Sequence, residues 1–336
     1  MTLAALHAAL RALPPAPGDT LPVRDVLAAQ ATVLDAHAEL GRALGTPGAT
    51  AQELLVREHY FRTQERADAA GDREVDGRFE AAVDAIVAGE RDTLARLLAE
   101  DPALVHARSP YGHRQTILHH VAANGIELWR QWQTPQNICE LARLVLDAGA
   151  DPDATCEPYG HRDTTLTLLV SSCHPAEAGQ QAALVKVLCD AGARPNGIDD
   201  DGTPLWTAIT WGYRDAAEQL VACGARVDNL VFAAALGDLD RVVAYLDGTE
   251  RAAGPLRICD YGPVLDDQHL LEYALIYAAG MGRREIVEYL LTKQPDLSVI
   301  EPIDGATALG MASYAHPAAV RPHGHPAIVA LLEQHR

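Results

Sequence analysis

Asp201-Gly202-Thr203-Pro204-Leu205-Trp206-Thr207-Ala208-Ile209-Thr210-Trp211-Gly212, followed by Ala216-Ala217-Glu218-Gln219-Leu220-Val221-Ala222-Cys223-Gly224-Ala225, is the stretch whose reading decides the fold. Asp-Gly is turn chemistry. Thr203 is suited to cap a helix and Pro204 to enter its first turn. Gly212 breaks that helix, a second one follows, and Gly224 supplies a left-handed ending. A helix–break–helix unit cannot bury its apolar face alone, so neighbours of the same kind are expected.

Used as a ruler, the unit finds copies. Thr116-Ile117-Leu118-His119-His120-Val121-Ala122-Ala123-Asn124-Gly125 begins one that closes at Leu144 to Pro152. Thr164-Thr165-Leu166 begins a unit ending at Ala193, and Thr307-Ala308-Leu309 one whose last helix is Ala327 to Leu332. Degenerate copies begin near Ala85, Phe232 and Leu275. The pattern resembles the ankyrin repeat of bacterial type, with Trp206 where the family has His, and His119 at that position in its own copy. The resemblance covers roughly three quarters of the chain. It implies an all-α fold: an ankyrin-repeat solenoid of about seven helix pairs over residues 77–336, after an N-terminal helical segment over 1–76. That segment reads either as a cap on the open end of the stack or as a separate interaction module.

Spacing shows where the chain departs from a regular stack. Thr116 to Thr164 is 48 residues and Thr164 to Thr203 is 39, against about 33 in the family. The excess lies at Ile126 to Asn137 (with Trp129, Trp132 and Pro135), at His174 to Gln180, at Gly248 to Gln268, and at Arg321-Pro322-His323-Gly324. Insertions of this kind map to surface loops and often carry function.

Composition narrows the function classes. The 336 residues hold 27 Lys and Arg against 46 Asp and Glu, a net charge of −19. That field repels phosphate backbones, so no nucleic acid partner is expected. No apolar run of about 18 residues occurs, so no membrane span is expected. Met1 to Leu13 lacks a basic start and a cleavage-like end, and reads as an amphipathic helix instead of a signal peptide. Cys139, Cys156, Cys173, Cys189, Cys223 and Cys259 form no C-x-x-C pair, which suits reduced thiols in the cytoplasm. The Ala, Arg and Leu bias points to a bacterial genome.

The most unusual motif is a duplicated one. Pro110-Tyr111-Gly112-His113-Arg114-Gln115-Thr116 recurs as Pro158-Tyr159-Gly160-His161-Arg162-Asp163-Thr164. Stacked repeats would set the two lengthened fingers side by side, with His113, Arg114, His161 and Arg162 forming one cationic lip beside Tyr111 and Tyr159. Arg as a bidentate donor and His as a titrating partner would suit an anion or carboxylate. The plainer reading is a structural duplication. No metal site is expected: His119 and His120 point about 100° apart on a helix, and no H-x-x-x-H spacing occurs. Nucleophilic catalysis has thin support, since Ser171, Ser172, Cys173 and His174 are neighbours in sequence and neither G-x-S-x-G nor G-x-G-x-x-G is present, and no cofactor is expected.

The family resemblance implies binding of a protein partner through the concave face and finger tips. Carried to this chain, it nominates Asn124, Ser172, Trp211 and Met281 at the exposed ends of the inner helices, with Trp206 in the core. The alternative is a small-molecule or catalytic pocket, formed where the inserted loops close over repeats two to four. That reading requires an enclosed cavity of several hundred Å³ at the fingers.

Overall fold

Helix pairs follow the register that the Trp206 unit sets. The computed structural model describes residues 2–37, 49–131, 133–249, 267–314 and 325–335. Expectations resting on Trp132, on Cys259, on most of the Gly248 to Gln268 connection and on Arg321 to Gly324 lie outside the described residues. The chain divides into two compact units, Met1–Gln180 and Gln181–Arg336.

The first unit opens with α1 (Leu3–Arg11), capped by the Thr2 hydroxyl on the Ala5 amide, and α2 (Val23–Ala36). A reciprocal Thr50–Glu53 capping box starts α3 (Ala51–Glu58), and Thr63 caps α4 (Gln64–Ala69). Two short strands, β1 (Thr20–Pro22) and β2 (Glu74–Asp76), pair antiparallel with Leu21 opposite Val75. They tie the start of the segment to its end. The first repeat is α5 (Gly77–Ala88) and α6 (Arg91–Glu100), separated by Gly89 in the left-handed conformation at φ 77°.

The first helix of the second repeat, Ile117–Ala122, is 3₁₀ and not α. Side chains explain the difference. His120 Nδ1 takes the Thr116 carbonyl at 3.1 Å, and the Gln131 amide takes the His120 carbonyl. Carbonyls that an α-helix would use are thus occupied. Its partner is α7 (Ile138–Asp147). The second finger is a minimal hairpin, β3 (Thr155–Cys156) against β4 (Asp163–Thr164), leading into α8 (Thr165–Leu169) and α9 (Cys173–Glu177).

Packing does not break at 76/77. Leu6, Leu10, Val26, Leu34, Leu55, Phe61 and Val75 share one core cluster with Tyr111 and Trp129 from the repeats. The N-terminal segment is therefore built into the first repeats.

The second unit contains α10 (Gln181–Asp190), α11 (Thr203–Thr210) with α12 (Arg214–Ala222), and α13 (Leu230–Leu236) with α14 (Leu239–Leu246). It closes with α15 (Leu270–Gly280) and α16 (Arg284–Leu291), then α17 (Ala308–Ser313) and α18 (Pro326–Gln334). The first helices of successive pairs pack on one another, α13 on α15 and α15 on α17. Seven helix pairs can be counted among the described residues of the two units. No helix among them is long and apolar enough to cross a membrane.

Trp206 is buried, as the sequence suggests. It stacks on Phe232 at 5.7 Å and meets Tyr277 edge-on at 4.8 Å. His119, at the same repeat position, instead bonds Thr116 through Nδ1 (2.8 Å) and the Ala154 carbonyl through Nε2 (3.0 Å). Trp206 exchanges that anchoring for area: its indole N–H is buried with no acceptor among the described residues.

Candidate functional site

The duplicated fingers carry the same letters and opposite burial. Tyr111 is 2% exposed and Tyr159 46%; His113 is 1% exposed, whereas His161 is half-buried and Arg162 exposed. The cause is the N-terminal segment, which covers the first finger. The Gly112 amide donates to the His59 carbonyl at 2.9 Å, and Arg73 Nη1 donates to the Pro110 carbonyl at 3.1 Å. A Cβ on Gly112 would stand 2.1 Å from the Tyr60 carbonyl oxygen, so only glycine allows this approach. Tyr111 lies 4.0 Å from the His59 ring, centroid to centroid.

The second finger is touched more lightly. Tyr60 meets Tyr159 edge-on at 5.8 Å, and the Arg62 guanidinium lies over Gly160. Tyr60, Arg62, Arg114 and Ala123 all have positive φ without being glycine, at 57°, 66°, 52° and 49°. Such backbone is costly for L residues, and here it gathers where segment and fingers meet.

Beneath the first finger lies a buried polar seam. Glu127, from the Ile126–Asn137 insertion, faces His59 Nδ1 at 2.8 Å and His113 Nε2 at 3.4 Å. His59 Nε2 reaches Gln30 Oε1 at 2.8 Å, so the seam ties α2, the end of α3, the finger and the insertion. Burial alone would raise the Glu127 carboxyl, yet hydrogen bonds from His113 and His59 hold it well below the usual range. Burial pushes the His113 ring down, against the pull of Glu127. Burial also lowers His119 to about 3, and His120 well below its ordinary value. Alongside, Arg130 bonds the Glu80 carboxylate and carbonyl and reaches Asp84 at 3.3 Å; their charge holds it protonated against burial.

These positions correct the cationic lip. His113 faces inward to Glu127, and Arg114 turns back to donate to the Ser109 carbonyl at 2.9 Å. His161 Nδ1 stands 2.9 Å from Asp163 without hydrogen-bond alignment, and burial pushes that carboxyl up to about 7. Two of the nominated inner-helix ends are not surface. Ser172 is buried with its hydroxyl on the Ala123 carbonyl at 2.9 Å, and Met281 is 2% exposed because the chain turns its side chain into the core. Asn124 is spent on structure: its amide donates to Ser171 Oγ at 2.7 Å and Leu168 O at 3.2 Å, and its carbonyl accepts the Tyr159 hydroxyl at 2.6 Å. Trp211 alone of the four is an exposed large side chain, at 52%, on the last residue capping α11.

The seam does not have the geometry of a nucleophilic triad. Ser109 Oγ and Glu127 both address the same His113 nitrogen, at 3.4 Å each, whereas a triad needs them on opposite ones. Among the described residues no three His, Cys, Asp or Glu side chains gather as metal ligands. The cavity at the seam, bordered by Gln30, His59, Glu80, Tyr111, Glu127 and Arg130, holds about 10 Å³. That is room for one water, far below the several hundred Å³ an organic ligand occupies.

His59, Gln30, Glu127 and Arg130 were not singled out by sequence reasoning. The signal available was two charges, Glu127 and Arg130, set among Ile126, Leu128 and Trp129 in an insertion already marked as abnormal.

No protein-family model matches the chain, and no curated protein does. Among solved structures it is similar to the human ASB11 ankyrin repeat domain, at 19% identity over 76% of this chain and 97% of that one, TM-score 0.42. It is also similar to the Bcl-3 ankyrin repeat domain, at 18% identity over 75% of this chain and 97% of that one, TM-score 0.37. The fold built above is a helical one of capped helix pairs stacked through their first helices.

Proposed function

We propose that this ankyrin-type chain is a binding module that holds a protein partner on the inner-helix ends of its second unit, with Trp211 as the anchor. In this reading the N-terminal segment is a cap that closes the finger face of the first repeats and leaves recognition to the second unit. The observation that carries the proposal is the contrast within one helix. Trp206 is 2% exposed and Trp211, five residues on, 52%. An exposed indole is costly in water, and aromatic anchors of this kind contribute about 2 kcal/mol or more when a partner buries them.

The test is photocrosslinking. A benzophenone side chain placed at position 211 of the full chain is expected to capture one protein in extract of the source cell, competed by wild-type chain and not by Trp211→Ala. Equal capture from position 186, an exposed Lys on α10, would contradict the proposal.

A further inference from the structure

Three guanidinium groups bond backbone carbonyls of the first finger. Arg73 Nη1 donates to the Pro110 carbonyl at 3.1 Å, and Arg114 Nη1 to the adjacent Ser109 carbonyl at 2.9 Å. Arg108 Nη1 donates to the Arg114 carbonyl at 3.1 Å and to the Thr155 carbonyl of the second finger. The acceptors Ser109, Pro110 and Arg114 lie on the first finger and Thr155 on the second, and the charges of Arg73 and Arg108 both act on Arg114.

Such a gathering is unexpected in this chain. Acidic residues outnumber basic ones, 46 to 27, and many arginines of the first unit, Arg11, Arg24, Arg57, Arg91 and Arg96 among them, have a carboxylate within 4 Å. Among the described residues Arg73, Arg108 and Arg114 have none. Asp72, next to Arg73, is taken by Arg24, and Glu157 acts on Arg114 only at a distance. The repulsion registers: burial first, then Arg73 and Arg108, lower the Arg114 pKa. Like charges held together by a strained Arg114 backbone (φ 52°) cost free energy that an anion would recover.

We infer that the Arg73–Arg108–Arg114 cluster is a binding site for a tetrahedral dianion of the phosphate class. Each guanidinium has five N–H donors, and the carbonyl contacts above use one atom of each, Nη1. Three guanidinium forks match the several oxygens of a phosphoryl group better than the two of a carboxylate. The overall charge of −19 works against long-range capture, so affinity rests on this local cluster and weakens with salt.

The experiment is a titration of the full chain with inorganic phosphate at constant ionic strength, read by the arginine Nε–Hε resonances. Saturable shifts confined to these three arginines are expected. Arg73→Gln, exposed and holding a single carbonyl, should weaken binding about tenfold, Arg73→Lys less, and Arg96→Gln not at all. Arg114→Gln should abolish binding; if that variant unfolds, Arg73→Gln still decides. Linear, unsaturating shifts, or unchanged affinity in Arg73→Gln, would overturn the site. Acetate binding as tightly as phosphate would overturn the ligand class.

Discussion

His59 Nδ1 stands 2.8 Å from Glu127 Oε1, a buried contact between residues 68 apart in sequence. It joins the end of an N-terminal helix to an insertion that a regular ankyrin repeat does not have. Around it, Gln30, His113 and Tyr111 complete a seam that turns the finger face of the first repeats into interior.

Removing the carboxylate from that seam leaves buried donors facing nothing. Glu127→Ala is expected to lower stability by about 2–4 kcal/mol, as for two buried donors left without their acceptor. Urea unfolding of the full chain measures it, and a loss below about 1 kcal/mol would show that the seam contributes little.

Acid should loosen the first unit. His119 and His120 have folded pKa values lowered by burial, so the unfolded chain takes up those protons first. Their stability contribution is complete above the unfolded value of 6.5 and is lost as pH falls below it, for His119 down to about 3. Each group adds about 1.4 kcal/mol per pH unit inside that window. Glu127, also lowered, loses its contribution in the same direction at more acid pH. In an Asp163→Asn chain, which removes the raised carboxyl that acts in the opposite direction, the urea midpoint is expected to drop between pH 7 and pH 5, and an unchanged midpoint contradicts the buried neutral imidazoles.

Glycine at 112 is a steric requirement. Gly112→Ala would press a methyl against the Tyr60 carbonyl and part the finger from the segment. A loss of about 2–3 kcal/mol is expected, with faster amide exchange at residues 109–116. Gly149→Ala meets no atom within 4 Å and pays only for its φ of 100°, about 1 kcal/mol. Equal costs for the two would remove the close approach from the explanation.

Trp129 belongs to the core that segment and repeats share. Trp129→Ala should cost about 3–5 kcal/mol and expose the amides of α3 as well as those of the insertion. Destabilisation confined to residues 126–137 would mean that the segment is held by other contacts.

The repeat register was legible because each copy states its own caps and breaks: Thr164 caps α8, Thr307 caps α17, and Gly89 and Gly237 end first helices in the left-handed conformation. Trp206 in the core and Trp211 at a helix end follow from what the ankyrin resemblance implies for those two repeat positions. What the N-terminal segment does was not legible, because contacts such as His59 with Glu127 join residues that no local pattern relates. For the same reason His113 was read as a surface cation when its burial depends on Gln30 and His59. Met281 shares its repeat position with the exposed Trp211, yet the turn after α15 is packed against the core and buries it.

Hydrogen exchange of the full chain, free and bound to the protein captured from position 211, tests the proposed function most directly. Protection centred on residues 203–213, with residues 109–116 unchanged and Trp211→Ala weakening the complex at least tenfold, is the expected result. Protection at residues 158–162 with none around Trp211 would contradict it.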